Sequence, residues 1–413
     1  MNARSLVCVC AALCASLCAA ADPAPCAAIA VAAGDEARAD TPVAVVLPPQ
    51  INAARELALF ELRGGARTAV PAQVAFGPAR ELRWILAGTT PAGTVRRFEL
   101  CYGAPQAGGG GGVRLHLNSK TLDVSVGDAP FFSYNHAHVV PPGKIPPVFI
   151  RSGYIHPMFG PSGQLLTEDF PADHYHHKGI WGPWTETAFE GRDVDFWNLA
   201  KKQGTVQFAG FECTESGPVF GRFRVKQEHV DLTQPGGGKV ALNEIWDVCV
   251  WDVGGACRLW DLTSEQACAS ASPLLLKQYR YGGFGYRGPK EWKGEDYKVL
   301  TSEGRTKKDG HGKTSKWCAH SGAIDGKRST VLFMCSPLND RFPEPMRIWE
   351  SGGCFFNYCP IQHKEWTFEP GKTYTFRYRI SIHEGDIDAK LAERLWRDFG
   401  APPAVTIEPA GAK

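Results

Sequence analysis

The sequence predicts an all-β protein in two parts, a small N-terminal β-sandwich followed by a large antiparallel β-sandwich, with a short C-terminal helix. Three observations carry this expectation. Short runs rich in β-branched and aromatic residues recur between turn residues. The chain holds 45 glycines and 30 prolines in 413 residues, a turn-rich composition. One segment, 386–399, reads as a helix, with Asp386 or Asp388 near its start and Gly400 just past its end.

In chain order, residues 1–21 read as a secretory signal. Arg4 supplies the positive start, 6–17 are apolar, and Ala19-Ala20-Ala21 before Asp22 offers a cleavage site. The expected location is therefore secreted or periplasmic, and no later stretch approaches the length of a membrane span. Residues 22–105 carry β-type runs at 42–47, 57–62, 81–86 and 96–102 and no histidine, as in a non-catalytic accessory sandwich. Residues 106–112, QAGGGGG, form a flexible linker by composition.

The larger part spans 113–385. Strands are expected at 114–117, 122–126, 130–134, 206–212, 219–229, 239–251, 257–263, 273–280, 329–335, 354–358 and 374–383. In 239–251 the alternation places Val240, Leu242, Glu244, Trp246, Val248 and Val250 on one face. Residues 386–413 close the chain as helix and tail.

A formal net charge of +2 makes no case for a nucleic-acid partner. Of 14 cysteines, four lie in the signal and ten follow, an even number suited to an oxidising compartment. Cys26 and Cys101 are placed to staple the first and last strands of the first part, and Cys354 and Cys359 are neighbours in sequence. No C-x-x-C pair occurs. Oligomeric state is not legible.

Chemistry concentrates in 151–198, densest at Asp173-His174-Tyr175-His176-His177-Lys178. Read as a strand, this run places His174 and His176 on one face and His177 opposite, beside Tyr175 and Asp173. The His174/His176 pair could chelate a divalent metal if His156, Glu228, His229, His363 or His383 added a third ligand. No H-E-x-x-H or Cys/His set supports that reading, and no cofactor is otherwise implied. The alternative is acid/base work, with a histidine oriented by Asp169, Asp173, Asp193 or Asp195. Arg151 and Lys178 could then neutralise a carboxylate or an oxyanion. Any single histidine is more often a structural hydrogen-bonding group, yet burying several His, Asp and Arg groups together without function costs desolvation. His176 and His177 are the strongest candidates.

Residues 277–287 mix aromatic, cationic and glycine residues, including Tyr281 and Arg287, and their glycines suggest a close backbone approach. Segments 339–343 and 355–357, the latter with Asn357, are further candidates, with plain loop architecture at least as good an account. The lysine-rich stretch 287–328 reads mainly as solvated surface.

The motifs SGYIHPMFGPSGQLLTEDFPADHYHHKGIWGPWT, GRDVDFWN, YGGFGYRGP and SPLNDRFPEP resemble those of the bacterial PmoA-like proteins, which carry the name methane oxygenase. The resemblance spans roughly 115–385. The name implies a metal-dependent oxygenase, but true particulate methane monooxygenase subunits are integral membrane proteins. The closing TYTFRYRISIHEG is similar to the last strand of galactose-mutarotase-like domains. That resemblance implies a β-supersandwich, an architecture shared by aldose epimerases, polysaccharide lyases and glycoside hydrolases.

The expected function is a carbohydrate-active enzyme, with β-elimination favoured over hydrolysis because no acidic pair stands out. His176 or His177, with His174 beside them, would act as base. Arg151 or Lys178 would stabilise charge, and Tyr154 or Tyr281 would be the acid. His156, Trp181, Trp184, Asp195, Trp197, Asn198, Arg287 and Asn357 would bind substrate. The alternative is a glycan-binding protein with Trp181, Trp184, Trp197 and Trp317 as its stacking platform.

Overall fold

The computed structural model describes residues 24–410 apart from 76, 78, 105–110 and 256. The signal and most of the linker expected from the sequence lie outside the described residues.

The described residues build five antiparallel sheets, some strands alternating between buried and exposed positions and others buried on both faces. The first has the order Ala404–Pro409, Pro25–Ala32, Val95–Tyr102, Leu57–Arg63, Ala66–Val70. It packs on a three-stranded sheet of Arg38–Val46, Glu81–Thr90 and Ala72–Ala75, enclosing Ile29, Leu59, Trp84, Leu86, Phe98 and Leu100. Thus the tail is a strand of the first sheet, paired Ala27↔Pro409 through Ala32↔Ala404. The sequence reading assigned it no strand, because its partner lies at the other end of the chain.

Two eight-stranded sheets form the larger layer pair. One runs Met346–Ile348, Phe355–Tyr358, Gly285–Arg287, Ile180–Trp181, Tyr154–Met158, Ala129–Asn135, Thr121–Val126, Val113–Leu117. The other runs Gly204–Glu215, Phe220–Asp231, Lys239–Trp251, Cys257–Cys268, Thr373–Glu384, Lys327–Cys335, Trp317–Ile324, Lys298–Thr301. In Lys239–Trp251 the side chains Leu242, Glu244, Trp246, Val248 and Val250 are buried, as the alternation predicts. They meet aromatic residues of the facing sheet, with Tyr134 6.3 Å from Trp246. The charged member, Glu244, is held by His229 Nε2 at 2.8 Å, Trp246 Nε1 at 2.7 Å and Ser264 Oγ at 2.5 Å.

The helix is Ala389–Gly400, capped by Asp388, whose side chain accepts from Leu391 N at 2.8 Å. It covers Trp317, Ala319, Leu332 and Met334 on the outer side of the second sheet. Cys354 and Cys359 are free thiols. Among the described residues no helix is long and apolar enough to cross a membrane.

Alternation in the first eight-stranded sheet also positions the site. Ile155, Ile180, Tyr286 and Phe356 point into the inter-sheet core. Their neighbours Tyr154, Trp181 and Phe355 point to the other face and cluster there with Trp197, Tyr281 and Trp349.

Candidate active site

Gly285 lies between Trp181 and Trp197 on this outer face. A Cβ there would come within 2.9 Å of the Trp197 ring, so only glycine lets both indoles close over the strand. The close backbone approach expected of the 277–287 glycines is therefore present.

The 173–178 run is a pair of turns rather than a strand. His174 N donates to Pro171 O at 3.0 Å, and His177 N donates to His174 O at 2.9 Å. This overturns the expected facing. Three residues apart in turns, His174 and His177 lie on the same side, their rings stacked 4.6 Å apart and 8° from parallel. His176 meets both edgewise, at 5.6 and 4.7 Å. Among the described residues the candidate metal pair does not gather a third ligand. His156 Nδ1 contacts Thr167 Oγ1 at 2.9 Å, and His229 contacts Glu244. His363 faces Gly312 O, and His383 faces Ser381 Oγ. Among the described residues no group of three His, Cys, Asp or Glu side chains is assembled to hold a metal.

His177 is 1% exposed and packs between His174 and Phe355, beside Trp181 and Trp349. Burial, and then the charges of His176 and His174, push it well below the ordinary histidine range, so it is neutral. His176 is lowered to about 4, first by burial and then by His174. His174 is more open, its side chain 37% exposed. Its Nδ1 lies 3.2 Å from Asp173 Oδ2, close but not aligned as a hydrogen bond. Arg287 holds the other oxygen of Asp173 at 2.8 Å and reaches Glu168 at 3.3 Å. Arg287 therefore positions Asp173 and is itself buried.

His174, Asp173, Tyr281 and Trp349 line a cavity of about 510 Å³ together with Lys307, Lys308, His311 and Arg347. Tyr281 Oη accepts from Arg347 Nη2 and from Trp349 Nε1, each at 3.2 Å, which leaves its own proton free to be donated. A larger cavity of about 620 Å³ lies between the three-stranded sheet and the second large sheet. Its charged walls are already matched, Arg222 with Asp247 and Arg379 with Asp261. It offers no poised chemistry.

Beneath the histidines Tyr154 Oη donates to Asp169 Oδ2 at 2.7 Å, and Lys178 Nζ stands 2.9 Å from Asp169 Oδ1. The Lys178 contact is an ion pair without hydrogen-bond alignment, and the ammonium sits 3.0 Å from the Phe170 ring centroid. Burial lowers Lys178 to about 8 against the pull of Asp169. Arg151 is 1% exposed, and among the described residues none of its three guanidinium nitrogens has a hydrogen-bond partner. Burial lowers it to about 10, with Tyr154, Glu244, Tyr134 and Asp169 as its electrostatic neighbours. An unpaired buried cation costs several kcal/mol.

Several expected substrate contacts are structural instead. Trp184 is in the inter-sheet core, its Nε1 donating to Gln266 at 2.7 Å. Trp181 and Trp197 are sealed by their neighbours, and Trp317 lies under the helix, so the four-tryptophan stacking platform is not exposed. Asn357 bonds Gly282, Phe284 and Tyr358 carbonyls. Asp195 accepts from Trp197 N, Asn198 N and Asn198 Nδ2, and pairs with Lys201, so both residues shape a loop. Sequence reasoning missed Trp349, Arg347, Lys308 and His311, which come from segments distant in sequence, Arg347 from the edge strand Met346–Ile348 and the others from loops. Only the lysine richness of 287–328 hinted at any of them.

A model of a family of unknown function, DUF6807, matches residues 121–397. The chain belongs to that family. The DUF6807 span includes every cavity residue named above. No curated protein matches the sequence. Among solved structures, a glycosyl hydrolase family 38 protein from Enterococcus faecalis is similar at 10% identity and TM-score 0.44, over 94% of this chain and 48% of its own. A heparan sulfate lyase from Pedobacter heparinus is similar at 8% identity and TM-score 0.34, over 70% of this chain and 38% of its own. The chain thus spans less than half of each, and neither likeness carries functional information about it.

Proposed function

We propose that this chain is a carbohydrate-active enzyme that cleaves a glycoside by histidine acid/base chemistry, with β-elimination favoured over hydrolysis. The supporting observation is that His174 and Tyr281 line one cavity of about 510 Å³, with Asp173 3.2 Å from the His174 Nδ1. His174 Nε2 takes the proton α to a carboxylate. The electron pair forms a carbon–carbon double bond as the bond to the leaving oxygen breaks, and Tyr281 Oη supplies that oxygen with a proton. Asp173, fixed by Arg287, lies 3.2 Å from the Nδ1 and stabilises the imidazolium by its charge. Hydrolysis by two carboxylates has less support, because Asp173 and Glu350 are the carboxylates at the cavity and Asp173 is already engaged.

Incubating the protein with uronate-containing polysaccharides and reading ultraviolet absorbance and product mass tests this. An unsaturated product, lost in His174→Ala with unchanged melting, is the expected result. A product one water heavier would make it a hydrolase. A second reading, glycan binding without turnover, draws on the aromatic face of Trp349, stacked 4.8 Å from Phe355 at the cavity. Measurable affinity with no product on any polymer would select it.

A further inference from the structure

The cavity wall is unequal in charge. Lys307, Lys308 and Arg347 face Asp173 and Glu350, and Asp173 is already held by Arg287 at 2.8 Å. Lys308 is exposed and has no carboxylate partner among the described residues. His311, also exposed, lies within the fields of Arg347 and Arg280. The Lys307 ammonium is turned onto the Gly294 carbonyl and contributes long-range charge rather than a free donor. The fork of Arg347 is fixed by Tyr281 Oη and by Ile348 O, and its Nε is buried without a partner among the described residues, so the side chain offers a fixed positive charge.

These groups share one cavity with an aromatic wall of Tyr281 and Trp349. Flat apolar faces beside fixed cations match a sugar ring that carries an oxyanion. Among the buried groups near the histidines the bias continues: Arg151, which acts on His176, has no ion-paired carboxylate among the described residues, while Lys178 is matched by Asp169. A neutral glycan would leave this excess cation uncompensated when it displaced solvent.

We infer that the cavity selects an anionic glycan, with Lys308, His311 and Arg347 receiving the oxyanion of a sugar bound beside the one at His174. This rests on the function proposed above and names its substrate class. The shared chemistry is a sugar oxyanion, which a uronate carboxylate or a sulfate ester could supply.

Calorimetric binding of the full protein to three probes tests the inference. The probes are a galacturonic-acid hexamer, the same hexamer methyl-esterified, and a sulfated glucan hexamer. Binding to the acid hexamer should exceed binding to its ester by ~10-fold or more, and should weaken with added salt. Lys308→Glu with Arg347→Gln should remove the preference while melting is unchanged. Tighter binding of the sulfated probe than of the acid hexamer supports the anionic seat and assigns it to sulfate. Equal affinity for the acid and its ester, without salt dependence, overturns the inference. His174→Ala keeps the two readings separable. Lost turnover with intact charge preference supports both readings, whereas retained turnover with intact preference sinks only the catalytic assignment.

Discussion

His174 and His177 lie ring over ring at 4.6 Å, yet only His174 lines the cavity. Two chemically identical side chains are thereby given different work. His177 is a packing plane and His174 the exposed imidazole.

This division predicts opposite phenotypes. His174→Ala should abolish turnover with little change in stability. His177→Ala should lose about 2–4 kcal/mol in denaturant melts, because it opens a void among aromatic rings. His177→Phe should restore the stack and much of the activity. Full activity in His174→Ala would reverse the roles.

Stability should fall as the medium is acidified. His176 is lowered to about 4 by burial and by His174, against an ordinary value near 6.5. Between those values the unfolded chain binds a proton that the folded chain refuses, so stability is present above pH ~6.5 and lost towards pH ~4. His320, fully buried and lowered to about 3, acts in the same direction. His176→Phe should reduce proton uptake on unfolding at pH 5, measured by titration.

Arg151 should separate stability from activity. Its guanidinium has no partner, so Arg151→Met should leave melting unchanged or raise it, by about 1–4 kcal/mol at most. Turnover should nevertheless drop if the charge serves an anionic transition state. A strongly destabilised Arg151→Met protein would show that the cation is structurally compensated.

Asp169 should behave in the reverse sense. It accepts from Tyr154 and faces Lys178, so Asp169→Ala should cost about 3–5 kcal/mol by leaving a buried ammonium unmatched. Restoring stability with Lys178→Met in the same chain would confirm the pairing through a double-mutant cycle.

Much of the sheet structure was legible because a half-buried strand writes its alternation locally. Lys239–Trp251 has the bounds that its pattern predicts. Ala404–Pro409 was not legible, since half-exposed small and β-branched residues carry little signal without their partner. The run 173–178 stood out in the sequence by its residue types, but its geometry was misread because turns were taken for a strand. The tryptophans look like a sugar platform in sequence, yet the Gly285 strand and the core enclose them. Lys308, His311 and Arg347 reach the cavity through contacts distant in sequence, which no local pattern encodes.

The pairing of Pro25–Ala32 with Ala404–Pro409 also sets an order of assembly. During synthesis Pro25–Ala32 precedes Val95–Tyr102 and can pair with it, but its other edge stays bare until residues 404–409 have been made. An open edge is a template for wrong partners. Nascent chains stalled before residue 404 should therefore expose a sticky strand edge that the folded sheet conceals, and Ala404–Pro409 acts as a clasp over that edge.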